Sequence, residues 1–197
     1  MTFTREGLVT VLLVIGALTV GSVVVERLPK AEDVMDQRFV TYGTLGQSVG
    51  LRTGTITVTK VEASRTVSSA LGRAVTNGIF VILHVEVTAI GKPLSLDPDD
   101  ARLVALDGRQ FGGDTPVSTA CGPAQPGVPL ECEFTLEAVP DALAGAHVRL
   151  PAAATLIVGP PETEFADIDL GITGAGSADL GAQTAPIKLR GPRPKGA

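Results

Sequence analysis

The sequence predicts an all-β domain, a sandwich of two packed antiparallel sheets, behind one N-terminal transmembrane helix. Three observations carry this. Short segments alternate apolar and polar residues with a period of two, turn residues separate them, and one uncharged apolar run precedes them all. Long helical periodicity is absent after that run. Segments with one core face and one solvent face must then pack sheet on sheet.

The apolar run covers residues 7–25, GLVTVLLVIGALTVGSVVV. At about 1.5 Å per residue it reaches about 28 Å, close to the hydrocarbon thickness of a bilayer. The preceding MTFTREG offers only Arg5, offset by Glu6, and no A-x-A site stands ahead of Glu26-Arg27-Leu28-Pro29-Lys30. These features favour an uncleaved anchor over a secretory signal, a cut near Gly21-Ser22 being the alternative. A lipid anchor needs a Cys directly after the run, and the only cysteines are Cys121 and Cys132.

Orientation rests on two opposed signals. Arg27, Lys30 and Arg38 follow the run against Arg5 before it, which favours a cytoplasmic domain. That rule weakens for a long downstream domain, and the cysteine pair points outward. Pro- and Gly-rich residues (GPAQPGVPLE) separate Cys121 from Cys132. A disulfide there adds about 3 kcal/mol in the chain-entropy model and persists only outside the cytosol. The alternative is two unrelated buried thiols. The reading adopted is a single-pass cell-membrane protein, N-terminus in and domain out.

The expected organisation is a cytoplasmic N-terminus (residues 1–6), the transmembrane helix (7–25), a juxtamembrane stalk (26–41), the sandwich (42–170) and a flexible tail (171–197). The tail is dominated by Gly, Ala, Ser, Pro and Thr, with too little large apolar surface to offset ordering entropy. Within the sandwich, residues 55–59 (TITVT) alternate β-branched apolar and hydroxyl side chains. Residues 79–89 form the clearest strand: Ile79, Val81, Leu83, Val85, Val87 and Ala89 share one face. The other face starts apolar with Phe80 and Ile82 and ends polar with His84, Glu86 and Thr88. Residues 131–137 place Cys132, Phe134 and Leu136 inward. Residues 146–150 and 166–170 repeat the pattern, and Asp107-Gly108, Gly112-Gly113-Asp114 and Pro160-Pro161 mark turns.

The strings GQSVGLRTGTITVTKVEAS, NGIFVILHVEVTAIGKPLSLDPDDARLVALDGRQF and ECEFTLEAVPDALAG resemble a family of immunoglobulin-like domains on exported bacterial proteins. Its members occur in actinobacterial and other Gram-positive lipoproteins and membrane proteins, and in a secreted mycobacterial antigen of similar fold. The matching positions are Gly46, the Ile56-Thr57-Val58-Thr59 strand, residues 80–88, residues 103–111 and residues 134–140. Ala89-Ile90 replaces the usual Asn, which bears on a turn. The resemblance covers residues 42–170 and implies an immunoglobulin-like sandwich placed outside the cytoplasm. Its motifs are structural, and most of the family is of unknown function.

Chemistry is sparse. Gly46-Gln47-Ser48-Val49-Gly50 matches the G-x-S-x-G nucleophile elbow, but that motif needs a strand-to-helix turn on a parallel sheet. Here a strand-like run follows, so a turn opening the domain is expected. His84 and His147 lack helical or C-x-x-C partners and read as ordinary strand residues, not metal ligands. Asp97, Asp99, Asp100, Asp107 and Asp114 lack the spacing of a calcium loop and read as solvated turns. With no Trp and Tyr42 as the only Tyr, an aromatic shelf for sugars is disfavoured. Gly174-Ala175-Gly176 has no strand before it to make a phosphate loop. No catalytic, metal or cofactor residues are assigned.

Charge excludes one partner class. Residues 41–170 carry a net −7, whereas residues 172–197 hold Lys188, Arg190, Arg193 and Lys195 against Asp179. An acidic domain does not suit nucleic acid. The function expected is a membrane-anchored extracytoplasmic interaction module, an accessory or scaffolding protein of a cell-envelope complex, and not an enzyme. Phe80 and Ile82, apolar on an outer face, mark the possible contact surface. The alternative is a binding domain for a lipid or small apolar ligand.

Overall fold

The chain divides into two compact units, Met1–Gln37 and Arg38–Ala197. The computed structural model describes residues 39–112, 117, 120–154 and 163–196, all in the second unit. The expected cytoplasmic N-terminus, the transmembrane helix at residues 7–25 and the stalk up to residue 38 lie outside the described residues. Among the described residues, no helix is long and apolar enough to cross a membrane.

Among the described residues, thirteen strands form two sheets packed face to face. Sheet A holds β1 (Phe39–Thr44), β5 (Leu94–Leu96), β6 (Arg102–Val104), β7 (Gln110–Phe111), β8 (Cys121–Ala124), β10 (His147–Ala154) and β11 (Thr163–Asp169). Sheet B holds β2 (Val49–Gly50), β3 (Gly54–Ser69), β4 (Gly72–Ala89), β9 (Leu130–Ala138), β12 (Ile187–Lys188) and β13 (Arg193–Pro194). Their order is β1-β11-β10-β5-β8, with β6 on β10 and β7 on β6, and β12-β3-β4-β9-β13, with β2 on β3. Two ladders depart from the antiparallel expectation: β1 pairs β11 and β12 pairs β3 in parallel. In each pair the two strands belong to distant parts of the chain, so no tight hairpin dictates their direction.

Period-two alternation builds the core. Ile79, Val81, Leu83, Val85, Val87 and Ala89 from β4 face inward with Cys132, Phe134 and Leu136 from β9. They meet Leu94, Leu96, Leu103, Val148, Leu150 and Ile168 from sheet A. Each such Leu, Ile or Phe removed from water contributes about 1.5–3 kcal/mol. The Cys121–Cys132 disulfide joins β8 of one sheet to β9 of the other, with Cα atoms 5.6 Å apart.

The domain starts earlier than expected, at Phe39, because residues 39–41 add to β11 as a strand. After β1, Gly46 takes a φ of 81°, the left-handed conformation a tight turn needs, and Gln47 Oε1 accepts from Thr44 N. Ser48 then runs into β2, so the G-x-S-x-G segment is a strand-to-strand turn. β3 and β4 form a long hairpin whose outer part, residues 66–75, pairs only within itself or with β12. The β4–β9 ladder begins at Ile79. Between the two parts the register breaks at Thr76-Asn77-Gly78. Here Gly78 passes so close to Ala138 that a Cβ would sit 2.4 Å from its carbonyl oxygen.

The segment from Gly171 onward, expected as a flexible tail, is built into the domain. It forms a helix, α1 (Gly174–Gly181), capped by the Thr173 hydroxyl, and then β12 and β13. Composition argued for disorder because it counts apolar residues over the whole tail. Ile187 and Leu189 alternate with Lys188 and Arg190, which is enough to dock one extended strand.

Candidate functional site

The contact surface expected at Phe80 and Ile82 is a correction. Both lie on the outer face of sheet B, yet they are only 2% and 0% exposed. The cover is the C-terminal segment itself. β12 adds to one side of the sheet beside β3 and β13 to the other beside β9, so residues 189–192 cross over β4. Leu189 closes a second apolar cluster with Val67, Phe80, Ile82 and Val117, flanked by Ala74 and Ile187.

Polar contacts fasten this strap along its length. Ser64 Oγ donates to Ala185 O at 2.7 Å, and Leu189 N donates to Ser68 O at 2.7 Å. Arg190 N donates to Glu133 Oε2 at 2.9 Å. Lys195 N donates to Pro129 O at 2.9 Å, and its ammonium pairs with Glu86 at 2.8 Å.

Beside the apolar cluster, strap and sheet line an open cleft of about 200 Å³, where Lys60, His84, Glu86, Glu131, Glu133 and Arg193 gather around Thr59, Val85 and Cys132. It is the main concentration of ionisable groups on sheet B. His84 stands between two carboxylates, with Nε2 2.6 Å from Glu62 and Nδ1 3.6 Å from Glu133. The Lys60 ammonium, 2.8 Å from Glu62, holds that carboxyl below its usual range; partial burial opposes the shift and His84 adds to it. Arg193 pairs with Glu131 at 2.9 Å, while its Nη1 is buried without a hydrogen-bond partner, 3.7 Å from Glu133. Sites this dense in paired charge suit recognition of an ionic group or the clamping of a strap.

The other His lies elsewhere. His147 is on the outer face of sheet A, hydrogen-bonded through Nδ1 to Asp167, a carboxylate only 2% exposed that also accepts from Arg149 Nε at 2.8 Å. The two histidines sit on different sheets and do not meet. Among the described residues, no group of three His, Cys, Asp or Glu is placed to hold a metal ion. Asp97 accepts from Asp99 N at 3.0 Å, and Asp107 accepts from both Arg109 N and Nε. Each thus closes its own turn. Arg109 holds the Asp107 carboxyl below its usual range. Asp114 lies outside the described residues.

One more ionic knot holds β1 in place. Glu164 on β11 is 3% exposed; it accepts from Arg52 Nε at 2.7 Å and from Thr53 N and Oγ1 at 3.2 and 3.1 Å. Burial pushes its carboxyl up, but Arg52 and Thr53 together outweigh this and leave it below the usual range. The Arg52 guanidinium also lies over the Phe39 ring, 4.8 Å from its centre.

Sequence reasoning missed Glu133, Arg193 and Leu189. The signal for Leu189 was the I-K-L-R alternation at residues 187–190, two apolar residues on one side of an extended chain.

No family model matches the chain, and no curated protein matches it. Among solved structures, an uncharacterized β-sandwich protein from Clostridium difficile 630 aligns over 71% of this chain and 99% of its own, at 12% identity and a TM-score of 0.38.

Proposed function

We propose that the chain is an immunoglobulin-like interaction module tethered to the membrane by residues 7–25, facing outside the cytoplasm and serving a cell-envelope complex as an accessory or scaffolding subunit. The observation that supports this reading is the outer part of the β3–β4 hairpin. It extends past the β4–β9 ladder and leaves Leu71 and Val75 63% and 68% exposed. An arm with two exposed apolar side chains suits a protein partner. The lipid or apolar-ligand alternative loses its motive, because Leu189 covers Phe80 and Ile82.

The test is to tag the C-terminus, solubilise native membranes in mild detergent, and identify what co-purifies in stoichiometric amount. A membrane-protein partner lost in the Leu71→Asp, Val75→Asp double variant supports the proposal. Both side chains are exposed, so that variant leaves the core intact. Recovery of the bare protein, or a partner indifferent to the double variant, overturns it.

A further inference from the structure

One end of the sandwich collects exposed apolar residues and outward-pointing cations from four distant parts of the chain. Phe39 opens β1, and its register partner on β11 is Glu164, which holds Arg52 and Thr53. Thr53 O accepts from Ile90 N at 2.9 Å, and Lys92 N donates to Ile90 O. Ala89 O accepts from Gly127 N, next to Val128, and Pro129 O accepts from Lys195 N. Phe39, Ile90 and Val128 therefore share this end, and they are 57%, 59% and 46% exposed.

The cations there face out. In the Arg52–Glu164 pair the side chains are 57% and 4% exposed, and in Lys195–Glu86 they are 53% and 24%. Lys92 is exposed as well. The opposite end differs in charge, although Leu106 there is 84% exposed. Around Leu106 it carries exposed Asp107, Asp141, Asp169 and Asp179, with Arg109 bound to the first two.

The chain enters the domain at the apolar, cationic end. Residues 26–38 separate it from the apolar run at residues 7–25, so the chain outside the domain limits how far this end can lie from that run. We infer that the end bearing Phe39, Ile90, Val128, Arg52, Lys92 and Lys195 rests on the anionic headgroup surface of the bilayer that holds the tether. Apolar and aromatic side chains then enter the interfacial layer, cations meet lipid phosphates, and the acidic end points away. The inference rests on the reading of residues 7–25 as a membrane anchor, so its test must separate the two.

The chain has no Trp, so a single introduced Trp reports its own surroundings. The full chain carrying Ile90→Trp or Leu106→Trp is assembled into nanodiscs of brominated phosphatidylcholine with phosphatidylglycerol. The expected result is co-migration of both variants with the discs, with bromine quenching at position 90 about twofold or more above that at position 106. Co-migration with equal, weak quenching and equal access to iodide overturns the resting orientation and leaves the anchor standing. Failure to co-migrate overturns the anchor, and the inference with it. A position 90 shielded from iodide but untouched by bromine is covered by protein, which also overturns the inference.

Discussion

Replacing Leu189 by Ala measures what the strap contributes. Leu189 is 6% exposed and packs with Val67, Phe80, Ile82 and Val117. The substitution removes three carbon groups, a loss of about 2.4 kcal/mol at ~0.8 kcal/mol per buried group. The extra cavity cost of a closed core is small here, since a single extended segment lies over the cluster and can settle into the gap. For a domain of this size that loss lowers Tm by about 5–10 °C. Urea unfolding with the disulfide intact gives the global value, and hydrogen exchange gives the local one. The amides of Leu189 and Arg190, bonded to Ser68 and Glu133, lose protection in the variant before those of Val81 and Leu83 do. A variant that unfolds within about 0.5 kcal/mol of the parent, together with free exchange of the Leu189 amide in the parent itself, shows that Leu189 does not fasten the strap.

Two further outcomes are expected. Folding depresses the Glu164 pKa from an ordinary 4.5, so its contribution is complete above that value and fades as acid protonates the folded carboxylate. Glu164→Gln therefore costs about 1.5–3 kcal/mol at pH 7 and much less at pH 3; parallel stability-versus-pH curves for parent and variant defeat this account. The Cys121→Ser, Cys132→Ser double variant releases a link between residues 11 apart and loses about 3 kcal/mol by the chain-entropy model. Calorimetry of parent and variant checks it, and an unchanged Tm counts against the link as a stabilising element.

The inward rows of β4, β9 and β10 were legible because each alternates strictly against a half-polar face. The cysteine pair was legible from its spacing and the Pro-Gly-rich loop between. Phe80 and Ile82 were placed on the right face but given the wrong surroundings. Nothing local to residues 79–89 says that a strand more than a hundred residues later lies across them. β1 escaped notice because FVTYGT does not alternate cleanly, and its partner β11 is over a hundred residues away. The charged cleft was illegible for the same reason. His84, Glu133 and Arg193 each read as an ordinary surface residue until the strap brings the last over the other two.

The strap also decides which sheet edges remain open. Sheet B is guarded on both sides by two-residue strands of its own chain, β2 and β12 beside β3 and β13 beside β9. Sheet A ends on β1, which pairs β11 and has no second strand partner among the described residues. Natural sheets leave such edges short or guarded because another strand adds to them readily. β1 is six residues long, and Phe39, Val40 and Tyr42 along it are exposed. If the Phe39 end rests on lipid, β1 rises from the bilayer surface and its far end, with the β3–β4 arm, stands clear of it. Membrane contact and partner contact then occupy separate parts of one small domain. Substitutions at Leu71 and Val75 accordingly abolish co-purification without changing lipid quenching at position 90, and Lys92→Glu does the reverse. A variant in either set that moves both readouts shows the two surfaces to be one.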